Sequence, residues 1–549
     1  MLDRKGLGDV SPGDLVVASK GRGRARVERV IGRADDIGNV LEALLVEKGL
    51  SPRFEPFDLP KPSLEGRTDL RDLVTFTIDP ETAKDFDDAL SVRPERDGLR
   101  AWVHIADVSY FVPAGSALDR GAAGRANSVY VPGRVAPMLP PELSDEACSL
   151  RPREDHLTLT VDVSFDSRLA PGPPTFYRSV INSDERFSYG QVQRILKEGE
   201  EHPLLDDLRL TERLATELRK RRFDRGALRV ESKEVTFVFD EEGGVERAYF
   251  EQEAHAHMLV EELMIFANEA VAELLSSRRR EALYRVHERP DPQPVRLLLA
   301  KLADLGVPTP PSPDAETMSP AEAARIAAET SERVTAYVEQ SGRGGEAFPS
   351  LVLRALKQAH YHPENLGHSG LASTAYCHFT SPIRRYPDLV VHRALLKELG
   401  EHDGEVAPDD LEFLAEHTSV QERAATEIEY LADEICLAWL LESELFDRGW
   451  EEPYDGEIIG VIGSGLFVRF GEVFEGYLPV RKLGGDYYEI NELGTALVGR
   501  RSGRPYRLGD QLEVVVEEIR RNEGKVELRP AQGASLESKR GRRRKAHHR

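Results

Sequence analysis

The segment "LVTFTIDPETAKDFDDALSV" (73–92) constrains this chain more than any other. Val74, Phe76 and Ile78 alternate with Thr75 and Thr77, which predicts a strand ending at Asp79. Asp85, Asp87 and Asp88 follow at once, set among Ile78, Phe86, Ala89 and Leu90. Carboxylates this close repel one another, and a solvated acidic turn does not need the apolar residues between them. A strand end is a rigid place to build a site. A calcium loop of the EF-hand kind asks for glycine at position 6 and glutamate at position 12. Counted from Asp85 those positions are Leu90 and Arg96, and from Asp79 they are Lys84 and Leu90, so the template fails. A magnesium or manganese site remains. Hard divalent cations take oxygen ligands, and magnesium combines few carboxylates with water and substrate phosphate. Two such ions about 4 Å apart bridge a phosphodiester and activate a water. The spacing fits phosphoryl-transfer chemistry and leaves the substrate open.

The rest of the chain predicts a large α+β body with smaller modules at both ends. Its 549 residues are enough for several domains. Residues 1–60 read as one small β-rich module, and 61–67 as a linker rich in proline and glycine. Residues 68–445 mix both periodicities. "RAWVHIADVSYFV" (100–112) reads as a strand, and "HMLVEELMIFANEAVAELL" (257–275) as a helix. Ile428, Leu431, Ile435 and Trp439 repeat at helical spacing, and "TPPSPDAETMSP" (309–320) reads as a break. In 450–530, short strands broken by glycines suit a small Greek-key barrel of the OB type. The tail, 531–549, ends in "KRGRRRKAHHR" and is expected to be disordered.

Net charge is −23, the opposite of a typical nucleic-acid binder. Local basic stretches, seven Lys or Arg in the last eleven residues above all, still offer phosphate contacts. The absence of a membrane-length apolar run or an apolar leader core predicts a cytoplasmic protein without a membrane partner. Cys148, Cys377 and Cys436 are far apart and predict buried thiols.

A second constellation lies in "YCHFTSPIRRYPDLVVHRALL" (376–396). Ser381-Pro382 predicts a helix start, with Arg384 and Arg385 beside it, and Pro387 ends that first turn and starts the next helix. Arginine at a helix N-terminus offers an anion both a fork of donors and free backbone N–H groups. The competing reading pairs an arginine with an acid such as Asp388.

These stretches, with "HIADVSYFVPAGSALDRGAAGRANSVYVPGRVAPMLPPELSDEACSLRP" and "LYRVHE", occur in an order that resembles the ribonuclease II/ribonuclease R family. The resemblance spans about residues 65–445, and 455–529 resembles the family's C-terminal S1 domain. It implies hydrolytic, processive 3′→5′ degradation of single-stranded RNA to nucleoside 5′-monophosphates, with magnesium or manganese. A monomer is expected separately, although the sequence itself carries no signal of oligomeric state. By resemblance, Asp79, Asp85, Asp87 and Asp88 are the metal-binding and catalytic aspartates. Arg384 stabilises charge on the scissile phosphate, and Glu429 acts near the RNA end. Tyr130 and, by its match, Phe237 stack on bases, with Phe239 a close competitor. Arg385 completes the anion site. Phe467, Phe470, Phe474 and Tyr477 are stacking candidates on the S1-like barrel, with at least half of them expected to pack in its core. The basic tail offers a docking point for ribosomes or RNA-decay partners. The sequence departs from the family at its front, where about sixty residues resemble one abbreviated cold-shock (OB-like) module rather than two. A regulator that binds RNA without cleaving it is the alternative reading.

Overall fold

The computed structural model describes residues 2–3, 10–20, 25–50, 53–229, 234–250, 255–311, 318–401 and 408–531. The basic tail and the middle of the 309–320 break lie outside them.

The body is organised on a seven-stranded sheet. Its spatial order is Glu185–Ser188, Phe76–Asp79, Asp88–Glu95, Gly98–Ala106, Asp155–Asp166, Thr175–Asn182 and Thr68–Asp69. The strand expected to lead into the aspartates is present but begins at Phe76. The strand expected over 100–112 stops at Ala106, and Val108–Phe111 forms a helical turn. Alternation divides the sheet's side chains between two cores. Phe76, Ile78, Leu90, Val103 and Ile105 pack against the Leu205–Asp224 and His255–Ser277 helices. Phe86, Ala89 and Ala106 join Ile383, Leu389 and Leu411 on the other side. Ala89 and Leu90, neighbours in sequence, therefore serve opposite cores.

One 41-residue helix, Pro408–Arg448, ties the modules together. Leu411, Leu414 and Ala415 pack into the body. Ile428 and Ile435 meet Val129, Val131 and the N-terminal Ile37–Glu47 helix, and Leu441 and Leu445 enter the barrel core. Besides that helix, the N-terminal region has a three-stranded sheet of Leu2–Asp3, Asp14–Lys20 and Ala25–Arg33. Its helix was not legible as part of a β-rich module. It starts where the Asp36 side chain accepts from Asn39 N–H.

The C-terminal region closes a five-stranded barrel in the order Tyr454–Ile462, Gly465–Phe470, Phe474–Pro479, Lys525–Pro530, Gln511–Arg520. The third and fourth of these are parallel neighbours. Ion pairs of Arg343 with Asp510 and Arg469 with Glu346, and two further contacts, help fasten the barrel to the body. Glu457 accepts from the backbone N–H groups of Gly345, Glu346 and Ala347, capping the Ala347–Arg354 helix from another module. Gly524, at φ 66°, approaches the long helix so closely that a Cβ there would lie 2.7 Å from Glu434 Cβ. The three cysteines are free and buried, as expected. No helix among the described residues is long and apolar enough to cross a membrane.

Candidate active site

Asp79 ends one central strand and Asp88 begins the next, so strand pairing brings them together. The intervening loop carries Asp85 and Asp87. Its second half is fixed from beneath. Phe86 N donates to Ser149 Oγ at 3.1 Å, Ser149 Oγ donates to Lys84 O at 2.6 Å, and Ala106 N donates to Asp87 O at 2.9 Å. Asp87 is buried. Its Oδ1 accepts from Ile383 N at 2.8 Å, and its Oδ2 lies 3.6 Å from Arg384 Nε. Asp79 Oδ2 and Asp87 Oδ2 are buried without a hydrogen-bond partner.

Burial holds these carboxyls well above the usual range. Asp79 is raised to about 8 by burial and then by the charge of Asp88. Asp88 is raised to about 7 by burial, against the opposing pull of Arg384 and Arg385. Asp87 moves in the same direction, again chiefly by burial. The pocket concentrates more negative charge than its surroundings satisfy, and a proton or a cation relieves it. The all-oxygen donor set and the two unpartnered oxygens fit magnesium or manganese. Among the described residues, no three or more His, Cys, Asp or Glu side chains form a ready-made ligand group.

The segment carrying Arg384 corrects the helix start expected at Ser381-Pro382 and keeps the one expected at Pro387. Residues 381–384 form a turn, and the helix runs Tyr386–Glu398 with Arg385 at its N-cap and Pro387 in its first turn. The turn's amides are already engaged: Ile383 N on Asp87, Arg384 N and Arg385 N on Ser381 O. The anion-binding reading therefore rests on the Arg384 side chain, which is half exposed, rather than on free helix N–H groups. Arg385 behaves differently from the expectation that it binds RNA. Its Nη2 donates to buried Asp388 Oδ1 at 2.8 Å, and the same oxygen accepts from Ser381 N at 2.7 Å. The arginine–acid pair weighed against function holds Arg385 on Asp388, whereas Arg384 pairs with Asp87 of the aspartate group at 3.6 Å and stays half exposed.

Backbone bonds join this turn to the segment that carries Tyr130: Ser128 N donates to Arg384 O at 3.0 Å and Tyr386 N to Ala126 O at 2.8 Å. The Tyr130 hydroxyl donates to Asp85 Oδ2 at 2.6 Å, while Tyr130 N donates to Glu429 Oε1 at 2.8 Å. Tyr130 and Glu429 thus stand at the aspartate pocket. Burial raises the Glu429 carboxyl, and burial plus Glu429 raises Asp433, one helical turn on, to about 7. Phe237 lies on the Val235–Phe239 strand and packs, partly buried, between the barrel core and the cluster around Ile428. Phe239 faces Gly133, close to Tyr130 in sequence.

Strand parity sorts the barrel aromatics. Phe467 is 41% exposed, and its ring lies 5.4 Å from the half-buried Tyr477. Phe470 and Phe474 point inward into the barrel core. The stacking role expected of Phe470 and Phe474 is therefore corrected: both are packing residues. Alternation with Leu466 and Val468 carried that signal. Ser149, which holds the loop, was missed, because a single polar residue 63 positions from Phe86 carries no local pattern, whereas Asp388 is the acid already weighed as an arginine's partner.

The sheet, its acidic pocket and the facing arginine define an RNB-domain architecture, and a model of the RNB domain matches residues 67–401. The chain belongs to that family. Ribonuclease R of Escherichia coli is 38% identical over 490 residues, covering 86% of this chain. The chain spans 58% of that relative's length. A solved Mycoplasma genitalium RNase R, in complex with ribose-methylated single-stranded RNA, superposes with a TM-score of 0.87 at 27% identity. It covers 96% of this chain and 85% of its own. Yeast Ssd1, described as a pseudonuclease, shares the fold at a TM-score of 0.66 and 20% identity, covering 88% of this chain and 62% of its own.

Proposed function

We propose that this chain is a hydrolytic 3′→5′ exoribonuclease that degrades single-stranded RNA processively to nucleoside 5′-monophosphates. The observation that carries the reading is the convergence of Asp79, Asp85, Asp87 and Asp88 with Arg384. Asp79 Oδ2 and Asp87 Oδ2 are buried without a hydrogen-bond partner, and the Arg384 side chain is half exposed beside them. Family membership and the Ribonuclease R relatives support RNA as substrate. The fold alone does not decide for cleavage, because a pseudonuclease shares it. The retention of all five residues in one pocket favours an enzyme over an RNA-binding regulator.

Asp79, Asp87 and Asp88 would hold magnesium or manganese, with Asp85 beside them. The bound ion would supply Lewis-acid polarisation of the phosphodiester and a more acidic water. The chain's own residues do the rest. Arg384 offsets charge that grows on the phosphate oxygens. The Asp87 carboxylate holds the turn beneath Arg384 through Ile383 N–H. Tyr130 presents its ring beside the pocket while its hydroxyl fixes Asp85. The barrel fits an S1 (OB-type) RNA-binding module, with Phe467 and Tyr477 as its stacking surface. The N-terminal sheet and helix fit an abbreviated OB-like module.

A 5′-labelled single-stranded RNA incubated with the protein and magnesium should give a shortening ladder that EDTA stops. An RNA left intact across magnesium and manganese sinks the proposal. The Mycoplasma genitalium relative has also been solved with double-stranded RNA. A hairpin with a 3′ overhang is therefore the informative second substrate.

A further inference from the structure

The loop from Pro80 to Asp87 must hold Asp85 and Asp87 at a fixed distance from Asp79. Its second half is bound by Ser149 and the Ala106 amide. Its first half has only the turn bond from Ala83 N to Pro80 O within itself, and proline has no N–H to donate. An arginine from the neighbouring strand occupies this weak point. Glu185–Ser188 runs parallel to Phe76–Asp79, with Arg186 beside Thr77 and Ser188 beside Asp79. From there Arg186 Nη2 donates to both Pro80 O and Glu81 O, the latter at 2.9 Å. Its guanidinium also stands 5.4 Å from the centre of the Phe86 ring. One side chain thus touches both ends of the loop. Arg186 Nε is buried and makes no hydrogen bond.

We propose that Arg186 is a positioning residue that holds the 80–86 loop in the shape that brings Asp85 and Asp87 to Asp79 for cation binding. The inference deepens the reading of the site as a metal-assisted nuclease and rests on it. Arginine suits the task because its planar fork reaches two carbonyls and lies on an aromatic ring. Lysine brings the same charge as a point. Two opposing effects are separable here. Removing a positive charge from an acidic pocket should tighten cation binding, whereas releasing the loop should weaken it.

The test is Mn2+ binding by the full chain, followed by electron paramagnetic resonance, for wild type, Arg186→Met and Arg186→Lys. Affinity should fall at least about fivefold in both variants, with melting temperatures close to wild type. The magnesium concentration that half-saturates RNA shortening should rise in step. Unchanged affinity in both variants overturns the proposal. So does tighter binding in Arg186→Met with no change in Arg186→Lys, since charge alone would then explain the residue. If Arg186→Met does not fold, the lysine variant decides, because it keeps the charge and loses the double contact. A wild type that binds no Mn2+ overturns the metal-site reading and this inference together. A wild type that binds Mn2+ but leaves RNA intact overturns the nuclease reading alone.

Discussion

Asp87, on the loop that leads into the central sheet, is buried, and its Oδ2 makes no hydrogen bond and lies 3.6 Å from a half-exposed arginine. Arg481 on the barrel is 70% exposed and pairs with Glu527 at 2.9 Å. Arg520 and Lys525, both exposed, pair likewise with Glu523. Such surface pairs each contribute roughly 0–1 kcal/mol. The sheet therefore keeps charge where solvent does not screen it, and the barrel keeps charge where solvent does. The first arrangement is costly to an empty protein and powerful toward a cation or a phosphate. The second is cheap and suits an adhesive surface. Both regions are β-structure with apolar alternation, so the difference lies in which strand ends meet a second layer of packed helices.

The largest effect should come from neutralising the sheet's charge. Asp87→Asn should lower the cleavage rate by about 10²–10³-fold or more, a loss typical of removing one preorganised group. RNA affinity should stay within a few-fold of wild type, and the metal-free protein should melt higher at pH 8. An equal loss of binding and cleavage, measured by fluorescence anisotropy beside the ladder assay, would refute the role.

Next in size is the barrel's inside–outside division. Phe470→Ala removes a side chain only 1% exposed and should cost about 3–5 kcal/mol of stability. Phe467→Ala should leave stability nearly unchanged and weaken RNA binding by about 1–3 kcal/mol. Denaturant melts and binding isotherms separate the two. Equal stability losses would show that parity does not divide the barrel as described.

The smallest effect is a difference in pH response. Asp79 and Asp88, at about 8 and about 7 in the fold, lie above the unfolded value near 3.9. Between about pH 4 and 8 the folded state binds more protons, so metal-free stability falls as pH rises through that window. Asp486, beside the barrel, has the opposite sign. The Ser502 hydroxyl and the amides of Ser502, Arg501 and Tyr487 hold its carboxyl well below the usual range. Its contribution is present above about pH 3.9 and is lost as pH falls below it. In EDTA the melting temperature should decline from pH 5 to pH 8, and magnesium should flatten the decline. A flat or rising profile in EDTA would break the contrast.

Much of the site was legible because its residues cluster in sequence. Asp79, Asp85, Asp87 and Asp88 announce themselves within ten positions, and Arg384 stands in a turn dense with proline and arginine. The helix expected from Ser381-Pro382 was not there. The Ile383 amide found a stronger partner in Asp87, 296 residues away in sequence, and no local rule contains that competition. Arg385 and Phe470 were misjudged for related reasons. An arginine's partner and an aromatic's facing depend on what packs beside them.

By itself the sequence determined the α+β body, the strand that delivers Asp79, the acidic group and the buried cysteines, because alternation, helical spacing and residue type act over a few neighbours. Tertiary structure alone decided which arginine faces the pocket and which is sealed against Asp388. It decided that Tyr130 links Asp85 to Glu429, and that Arg186 clasps the loop between the aspartates. These assignments depend on burial and on donors brought from distant segments. In a low-dielectric interior, the nearest partner sets the energy of a charge, whatever its place along the chain.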